Sequence, residues 1–262
     1  MIRIDEHRCI GCGLCAGDCL AKAIRVEAGR AEVIKRCFMC GHCVAICPAD
    51  AVRFEGPDYD QRDVMSVGGG FGIDGATMLH AIKTRRSIRQ FKPEPVDRAL
   101  LKQVLEAGRY SPTASNAENV TYLVFTDETP ALARLAIDEL RRYRDDPAAF
   151  AEVFPPPMTT DRVDFDNGDF FFKGAPAVIL TVSPHTVNAA IAAADMELQA
   201  VSMGLGTLYV GFFTRLASKN TRIREFLGLG EKEQVVTCTA LGWPDVSYQR
   251  IPPRKKAKIT WR

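Results

Sequence analysis

The first 47 residues contain two cysteine-rich runs whose residue types and spacing could hold a metal centre. "CIGCGLCAGDC" covers residues 9–19 and "CFMCGHCVAIC" covers residues 37–47. Both runs read C-x2-C-x2-C-x3-C, and each cysteine of the first has a counterpart 28 positions later. The runs therefore form an internal repeat, which contains eight of the nine cysteines of the chain.

Three kinds of site compete for this repeat. A disulfide framework needs an oxidising compartment, yet the sequence opens with the charged "MIRIDEHR" and shows no apolar signal segment. Zinc sites use CxxC pairs but rarely a third cysteine two residues later and a fourth three residues after that. The spacing seen here, followed by proline after Cys47, is typical of iron–sulfur proteins with two clusters, in which the fourth cysteine of each run binds the other cluster.

We therefore predict two [4Fe–4S] clusters with crossed ligand sets. One set is Cys9, Cys12, Cys15 and Cys47, and the other is Cys37, Cys40, Cys43 and Cys19. Over about 55 residues this segment resembles the bacterial 2[4Fe–4S] ferredoxins. Leu20 stands where the run usually has proline, and we expect this to loosen one turn without loss of a cluster.

Composition sets limits on the whole chain. The 262 residues carry a net charge of +2, so there is no overall attraction to nucleic acid or to an acidic membrane surface. There is no run of eighteen apolar residues, and we expect a soluble, cytoplasmic protein. In the glycine-rich stretch 58–75, the glycines at 70, 72 and 75 match G-x-G-x-x-G, but no strand pattern precedes them. This stretch is predicted to be a linker and not a nicotinamide site.

Helix and strand patterns alternate after the linker. Residues 76–86, 97–109 and 186–203 have helical periodicity, and the last helix is apolar on almost every face, which is typical of a helix buried in a core or a subunit interface. The predicted strands are 120–127, 176–183, 207–213 and 234–243. The fold class is α+β: a small cluster-binding domain (1–57) and a larger domain (76–262) with long helices and a mostly antiparallel sheet.

Three short stretches of the larger domain could do chemistry, and each has a simpler explanation. "RRSIRQF" (85–91) could bind a phosphate, or could be a set of cations at the end of a helix. "SPTASNAEN" (111–119) could place the Asn116 amide against a heterocycle, or could be a turn. "GLGTLYVGFF" (204–213) has glycines that would allow a flat ligand to approach the backbone.

Together with "LGWP" and "PPRKKAKI", these stretches resemble the nitroreductase family of FMN-dependent oxidoreductases over about residues 76–262. The resemblance implies that Asn116 meets the polar edge of the flavin ring. Glu118 replaces the usual glutamine, so hydrogen bonding to the flavin or the substrate is expected to differ there. The resemblance also implies FMN contacts in three other groups: Arg85, Arg86, Ser87 and Arg89 at the phosphate and ribityl side, Val210 and Gly211 near the reactive N5, and Arg254 and Lys256 at the phosphate.

The two halves predict one function. A low-potential, ferredoxin-type donor would reduce the clusters, and FMN would pass two electrons to an electron-poor organic acceptor such as a nitroaromatic, a quinone or an enone. The alternative is an electron carrier whose acceptor is another protein. The resemblance implies a homodimer, and no acid–base residue is predicted. Residues 145–172 are either a lid over the acceptor or a loop whose Phe154 and 170–172 aromatics pack into the core.

Overall fold

The computed structural model describes residues 1–68, 72–156 and 158–262. The chain divides into two compact units, one of Met1–Gly72 with Thr113–Ala117 and one of Ile73–Pro112 with Glu118–Arg262. The boundaries 1–57, 58–75 and 76–262 stay predictions. The glycine at 70 lies outside the described residues.

The first unit consists of two pairs of strands and two short helices. Its strands pair in two antiparallel sheets: β1 (Ile2–Ile4) with β4 (Val52–Phe54), and β2 (Ile24–Glu27) with β3 (Arg30–Val33). The short helices α1 (Leu14–Gly17) and α2 (His42–Ala45) lie at equivalent places in the two cysteine runs. Each helix follows a glycine in the left-handed region, Gly13 with φ 80° and Gly41 with φ 74°, where other residues are strained.

The core of the first unit contains few aliphatic side chains. Ile2, Ile24, Ala31 and Val52 are buried together with the thiols of Cys15 and Cys43. A core of this size gives little stability by itself, and small domains of this kind are usually held by metals or disulfides. The position of the thiols inside the core therefore agrees with a metal-stabilised unit.

The second unit contains the longer helices and the main sheet. Asp74 and Asp97 accept backbone amide hydrogen bonds at the starts of the first two of these helices and so cap them. Short 3-10 turns cover Gln61–Asp63 in the first unit, Ala114–Asn116, and Thr160–Arg162 in the second. The helices are α3 (Gly75–Thr84), α4 (Arg98–Arg109), α5 (Thr129–Arg141), α6 (Pro147–Val153), α7 (Thr186–Ser202), α8 (Gly211–Lys219) and α9 (Thr221–Phe226).

Four strands form a single antiparallel sheet in the order β5-β6-β8-β7. They are β5 (Thr121–Phe125), β6 (Ala177–Val182), β7 (Gly206–Tyr209) and β8 (Val235–Gly242). The predicted α+β class with an antiparallel sheet is confirmed. The predicted strand 207–213 is too long, because the ladder ends where the Val210 amide donates to the Cys238 carbonyl (2.7 Å) and α8 begins at Gly211.

Helices cover both faces of the sheet, and the side chains of β6 pack against the helices on each face. All six residues of this strand are buried, and they alternate between two cores. Val178, Leu180 and Val182 pack with α5, α6 and α8, whereas Ala177 and Ile179 pack with α4 and α7. This period of two is the repeat of a strand that is buried on both faces.

Helix α7 is partly buried within this single chain. Its core face consists mainly of alanines and Met196, which let α4 pack closely, while Val187 on another face is 67% exposed. The prediction of a buried helix is therefore right for one face. No helix in the described ranges is long and apolar enough to cross a membrane.

The segment 145–172 is more ordered than a simple loop, since it contains α6 and a 3-10 turn. Phe154 is 2% exposed, and Phe171 and Phe172 are buried in the same core. These three aromatics therefore pack into the core, and Phe154 also lines a cavity of about 270 Å³. That the segment is a lid stays a prediction. Phe170 is only partly buried and lines a cavity described below.

Gly206 lies in a closely packed part of the sheet edge, and a substitution there tests that packing. A Cβ at this position would lie 2.4 Å from Cγ1 of Ile88 and 3.0 Å from Cγ of Pro244. We expect Gly206→Ala to lower the free energy of unfolding by about 1–3 kcal/mol. Both tryptophans, Trp243 and Trp261, lie in the second unit, so urea unfolding followed by tryptophan fluorescence reports on it.

Gly75→Ala is the matched control, because a Cβ there would meet no atom within 4 Å and the position starts a helix. This variant should leave the urea concentration at the midpoint of unfolding unchanged or raise it. Equal midpoints for the two variants would show that the contact at Gly206 can relax.

Candidate functional site

The first predicted cysteine set surrounds one concavity of the first unit. Cys9, Cys12, Cys15 and Cys47 line it, together with apolar residues of β1 and β4. Three of these thiols come from the first run and one comes from the second, as the crossed pairing predicts. Within the described ranges, no three His, Cys, Asp or Glu side chains converge on a point that one metal ion could occupy.

The second set is held in a similar way. Burial, followed by the neighbouring Cys37 and Cys40 thiols, raises the pKa of Cys43 to about 11, and burial also raises the pKa of Cys15. Cys19 and Cys37 pack against the same small core. Thiols in such surroundings stay protonated unless a cation compensates the charge, and bound iron removes the proton outright. The donor chemistry of the site therefore fits a cationic cluster.

Backbone amides point at four of the cysteine sulfurs. The amides of Ala31 and Ala51 lie 3.3 Å from Sγ of Cys9 and Cys47 respectively. On the other set, the amides of Ala23 and Met39 lie 3.2 Å from Sγ of Cys19 and Cys37. Hydrogen bonds of this kind stabilise thiolate ligands.

Leu20 does not loosen the exit turn of the first run, contrary to the prediction. The Lys22 amide donates to the Cys19 carbonyl at 3.0 Å, and the equivalent Asp50 amide donates to the Cys47 carbonyl at 3.3 Å. Leu20 itself is 84% exposed. The turn needs no proline because the amide bonds to the cysteine carbonyl and sulfur already define it.

Two of the three stretches that could do chemistry, 85–91 and 204–213, lie side by side. Ser87 pairs with Thr207 in a parallel bridge, and the Ile88 amide donates to the Thr207 carbonyl at 2.9 Å. Gly206 allows this approach, as its clash distances show. The structure thus joins the arginine-rich stretch 85–91 to the glycine-rich stretch 204–213.

Two acidic side chains of α7 accept hydrogen bonds from all three stretches. The buried Glu197 carboxylate accepts from Nη1 of Arg85 (2.9 Å) and from Oγ1 of Thr207 (3.0 Å). Asp195 accepts from Oγ of Ser111 (2.6 Å), which anchors the start of the second stretch, 111–119. The sequence analysis missed both acids, although two acids in an otherwise apolar helix were a visible signal.

A cavity of about 480 Å³ lies where the two adjoining motifs meet. Arg89 of the first motif and Tyr209, Val210 and Gly211 of the third line it. A Cβ on Gly211 would meet no atom within 4 Å, so the space above this residue is open. Helix α8 begins here without a side-chain cap, and its first amides have no partner within the helix. The cavity therefore offers N–H donors next to a cation.

Arg86 fits an anion on the same motif. Its Nη2 group donates to the Lys83 carbonyl, whereas its buried Nε has no hydrogen-bond partner among the described residues. An unsatisfied buried donor costs about 1–3 kcal/mol, and an acceptor such as a phosphate oxygen would remove that cost. The residues present therefore fit the predicted FMN phosphate.

The other predicted FMN contacts do not all meet at this cavity. Asn116 donates to the Met39 carbonyl (3.1 Å) inside the first unit. Asn116 and Glu118 both have positive φ, 52° and 46°. Arg254 and Lys256 are exposed, with no hydrogen bond or ion pair to the described part of the chain. For these four residues, as for the other six, the FMN contact stays a prediction.

Comparison with known families decides the fold family. A model described as "Nitroreductase family" matches residues 82–243, and one described as "4Fe-4S dicluster domain" matches residues 1–48. The chain belongs to the nitroreductase family. It is an oxidoreductase of that family with a 4Fe–4S ferredoxin domain at residues 1–48, as the sequence predicted.

Curated relatives agree with this assignment. A 4-nitrobenzoate reductase of Pseudomonas putida is 27% identical to this nitroreductase over 205 residues, which cover 65% of this chain and 88% of that protein. An NADPH-dependent oxidoreductase of Staphylococcus saprophyticus subsp. saprophyticus is 26% identical, over 64% of this chain and 65% of that protein. The chain thus spans slightly less than two thirds of the staphylococcal relative.

Solved structures show the same fold. A nitroreductase with bound FMN from Bacteroides fragilis NCTC 9343 has a TM-score of 0.55 and 19% identity, over 70% of this chain and 97% of its own. A nitroreductase with bound FMN from Desulfitobacterium hafniense DCB-2 has a TM-score of 0.54 and 21% identity, over 70% and 97%.

Glu197→Gln tests the contact that joins the motifs. Glutamine keeps the shape of the side chain but removes the negative charge of the carboxylate that accepts hydrogen bonds from Arg85 and Thr207. We expect a fall of about 1.5–3 kcal/mol in the free energy of unfolding of the second unit, measured by urea titration with tryptophan fluorescence. Glu231→Gln, at an exposed position, is the control. Unchanged stability of Glu197→Gln would show that the carboxylate does not hold the motifs together.

Proposed function

We propose that this nitroreductase binds FMN in the 480 Å³ cavity and uses electrons from two [4Fe–4S] clusters to reduce an electron-poor organic compound. The observation that carries the proposal is that Arg89 and the Val210–Gly211 backbone, which belong to two motifs far apart in the sequence, line one cavity. The FMN named for the fold relatives supports the choice of cofactor.

The chain has suitable groups at both ends of such a cofactor. Nε of Arg86 and the side chains of Ser87 and Arg89 would bind the phosphate and ribityl side, and Arg85 would be held in position by Glu197. The open amides at the start of α8, beginning with Gly211, would donate to the polar edge of the ring. FMN supplies the chemistry that converts single-electron deliveries into a two-electron reduction.

The cysteine sets would supply the single electrons. Each set combines one buried thiol with two amide–sulfur hydrogen bonds, which suits a cluster that stays bound while its charge changes. The donor would be a separate ferredoxin-type protein, and the active form would be a homodimer.

Nitro compounds are the acceptor class best supported. The 4-nitrobenzoate reductase relative points to them, and the apolar and aromatic wall of the cavity suits a flat ring. The reduction consumes two electrons and two protons per nitro group and gives a nitroso group and water. We assign no acid–base residue, so the protons come from solvent in this proposal.

A second candidate donor is NADPH, because curated relatives are named NADPH-dependent oxidoreductases. In that case the clusters would not be the route for electrons. A carrier that delivers electrons to a partner protein is the alternative for the acceptor side.

FMN binding tests the cavity assignment. Ser87→Ala and Arg89→Ala each remove a proposed contact to the phosphate side, and we expect each to weaken FMN binding by about tenfold to a hundredfold. Titration of the apoprotein with FMN, followed by flavin fluorescence, measures the change. Arg98→Ala on the exposed start of α4 removes an equal charge elsewhere and should bind FMN normally. Equal affinity of all variants would place the cofactor elsewhere.

The route of electrons is tested in the full chain. Wild-type protein purified without oxygen should contain about eight irons, and Cys47→Ser should lower the iron content. We expect this variant to lose turnover with a reduced ferredoxin-type donor, yet to reoxidise normally with a nitroarene after its flavin is reduced by dithionite. Cys238→Ser is the control, because Cys238 is buried in β8 of the second unit and belongs to neither cysteine set.

The outcomes separate the candidates. Full turnover of Cys47→Ser with the protein donor would exclude the clusters as the route, and equal turnover of both proteins with NADPH would favour the second donor. Reduced wild-type flavin that no nitroarene, quinone or enone reoxidises would favour the carrier.

A further inference from the structure

The cavity assigned to FMN and acceptor has three cations besides Arg89. Arg162 ends the 3-10 turn Thr160–Arg162, Lys173 follows the buried aromatics of the same connection, and Arg215 lies on α8. All three line the 480 Å³ space. None of them belongs to a motif that the sequence analysis connected with FMN.

These three cations have no acidic salt-bridge partner in the described chain, and no Asp or Glu of it lines the cavity. Asp161 and Asp169 interact electrostatically with Arg162 and Lys173 respectively. The neighbouring acids Asp161 and Asp169 lie outside the lining. Lys173 instead has its ammonium 4.7 Å from the ring centroid of Phe170. A pocket lined by cations alone attracts an anion.

Arg215 is directed toward the open end of α8. It lies four residues after Gly211, on the same face of the helix, and helical side chains lean toward the N-terminus. The guanidinium therefore shares a surface with the free amides of the first turn. Arg162 and Arg215 also line an adjoining cavity of about 270 Å³, so they stand between the two spaces.

The remaining wall is suited to an aromatic ring. Tyr209, Phe212 and the half-buried Phe170 and Met158 contribute apolar surface to the same cavity. A ligand that satisfies both parts of this wall has a flat apolar body and a negative group at one end.

We infer that the acceptor is an aromatic compound with an anionic substituent, a carboxylate or a sulfonate, and that Arg162 and Arg215 bind this group. The inference rests on the proposed function and adds the substrate class. Guanidinium groups suit the role because they bind oxyanions such as carboxylates and phosphates through two parallel N–H bonds. Lys173 raises the local positive potential. The nitro group would then lie toward Gly211.

The experiment uses anaerobic full-length holoprotein with its flavin reduced by dithionite. Stopped-flow reoxidation is followed with 4-nitrobenzoate and with its neutral methyl ester, and the ratio of the two second-order rate constants is taken for each protein. Because ratios are compared between proteins, the different intrinsic reactivities of the two rings cancel. The variants are Arg215→Gln, Arg162→Gln and Arg215→Lys, and the control is the exposed Arg98→Gln.

We expect the carboxylate-to-ester ratio to fall by about tenfold or more in both glutamine variants. It should stay near the wild-type value in Arg98→Gln and partly recover in Arg215→Lys. Added salt should lower the wild-type ratio, since the attraction is ionic. FMN content should not change.

Other outcomes overturn the inference. An unchanged ratio, or an equal loss for both acceptors, would show that the cations do not recognise the substituent. Loss of FMN from the glutamine variants would assign the cations to the cofactor phosphate. If wild-type flavin binds but reacts with neither acceptor, the proposed function fails and the inference fails with it.

Discussion

A single buried carboxylate, that of Glu197, organises the second unit. It lies on a helix whose other core residues are mostly alanine, and it joins Arg85 on one side to Thr207 on the other. Losing hydrogen bonds to a charged group of this kind typically costs about 1.5–3 kcal/mol. The two motifs that line the cavity are thus fixed to each other through α7, and their relative position depends on this contact.

Local patterns carried the reliable part of the prediction. The cluster-binding domain and most of the antiparallel strands depend on patterns within short segments, and such patterns can be read from sequence. The end of β7 could not be read in this way, because residues 207–213 are mostly apolar. Only the bond from Val210 to the carbonyl of Cys238 shows where the ladder stops.

Long-range partners were the part that sequence could not supply. Arg85 and Glu197 are 112 positions apart, and nothing in either segment identifies the other. The aromatics of residues 145–172 posed a similar problem, since a run of phenylalanines reads equally as a lid or as core. The structure separates them by burial, with Phe154 inside and Phe170 on the cavity wall. The cavity wall has four cations from three separate parts of the chain: Arg89, the pair Arg162 and Lys173, and Arg215.

The amide–sulfur bonds of the first unit have an energetic consequence. Each crossed set contains two sulfurs that accept a backbone amide, Cys9 and Cys47 in one and Cys19 and Cys37 in the other. Hydrogen bonds to the sulfurs are one of the factors that set the reduction potential of an iron–sulfur cluster, so equal numbers would shift two bound clusters in the same direction. On this count the internal repeat would bring the potentials of the two proposed clusters close together. An electron could then hop between them in either direction at little energetic cost, and the direction of flow would be set by the molecules at the two ends of the chain of centres.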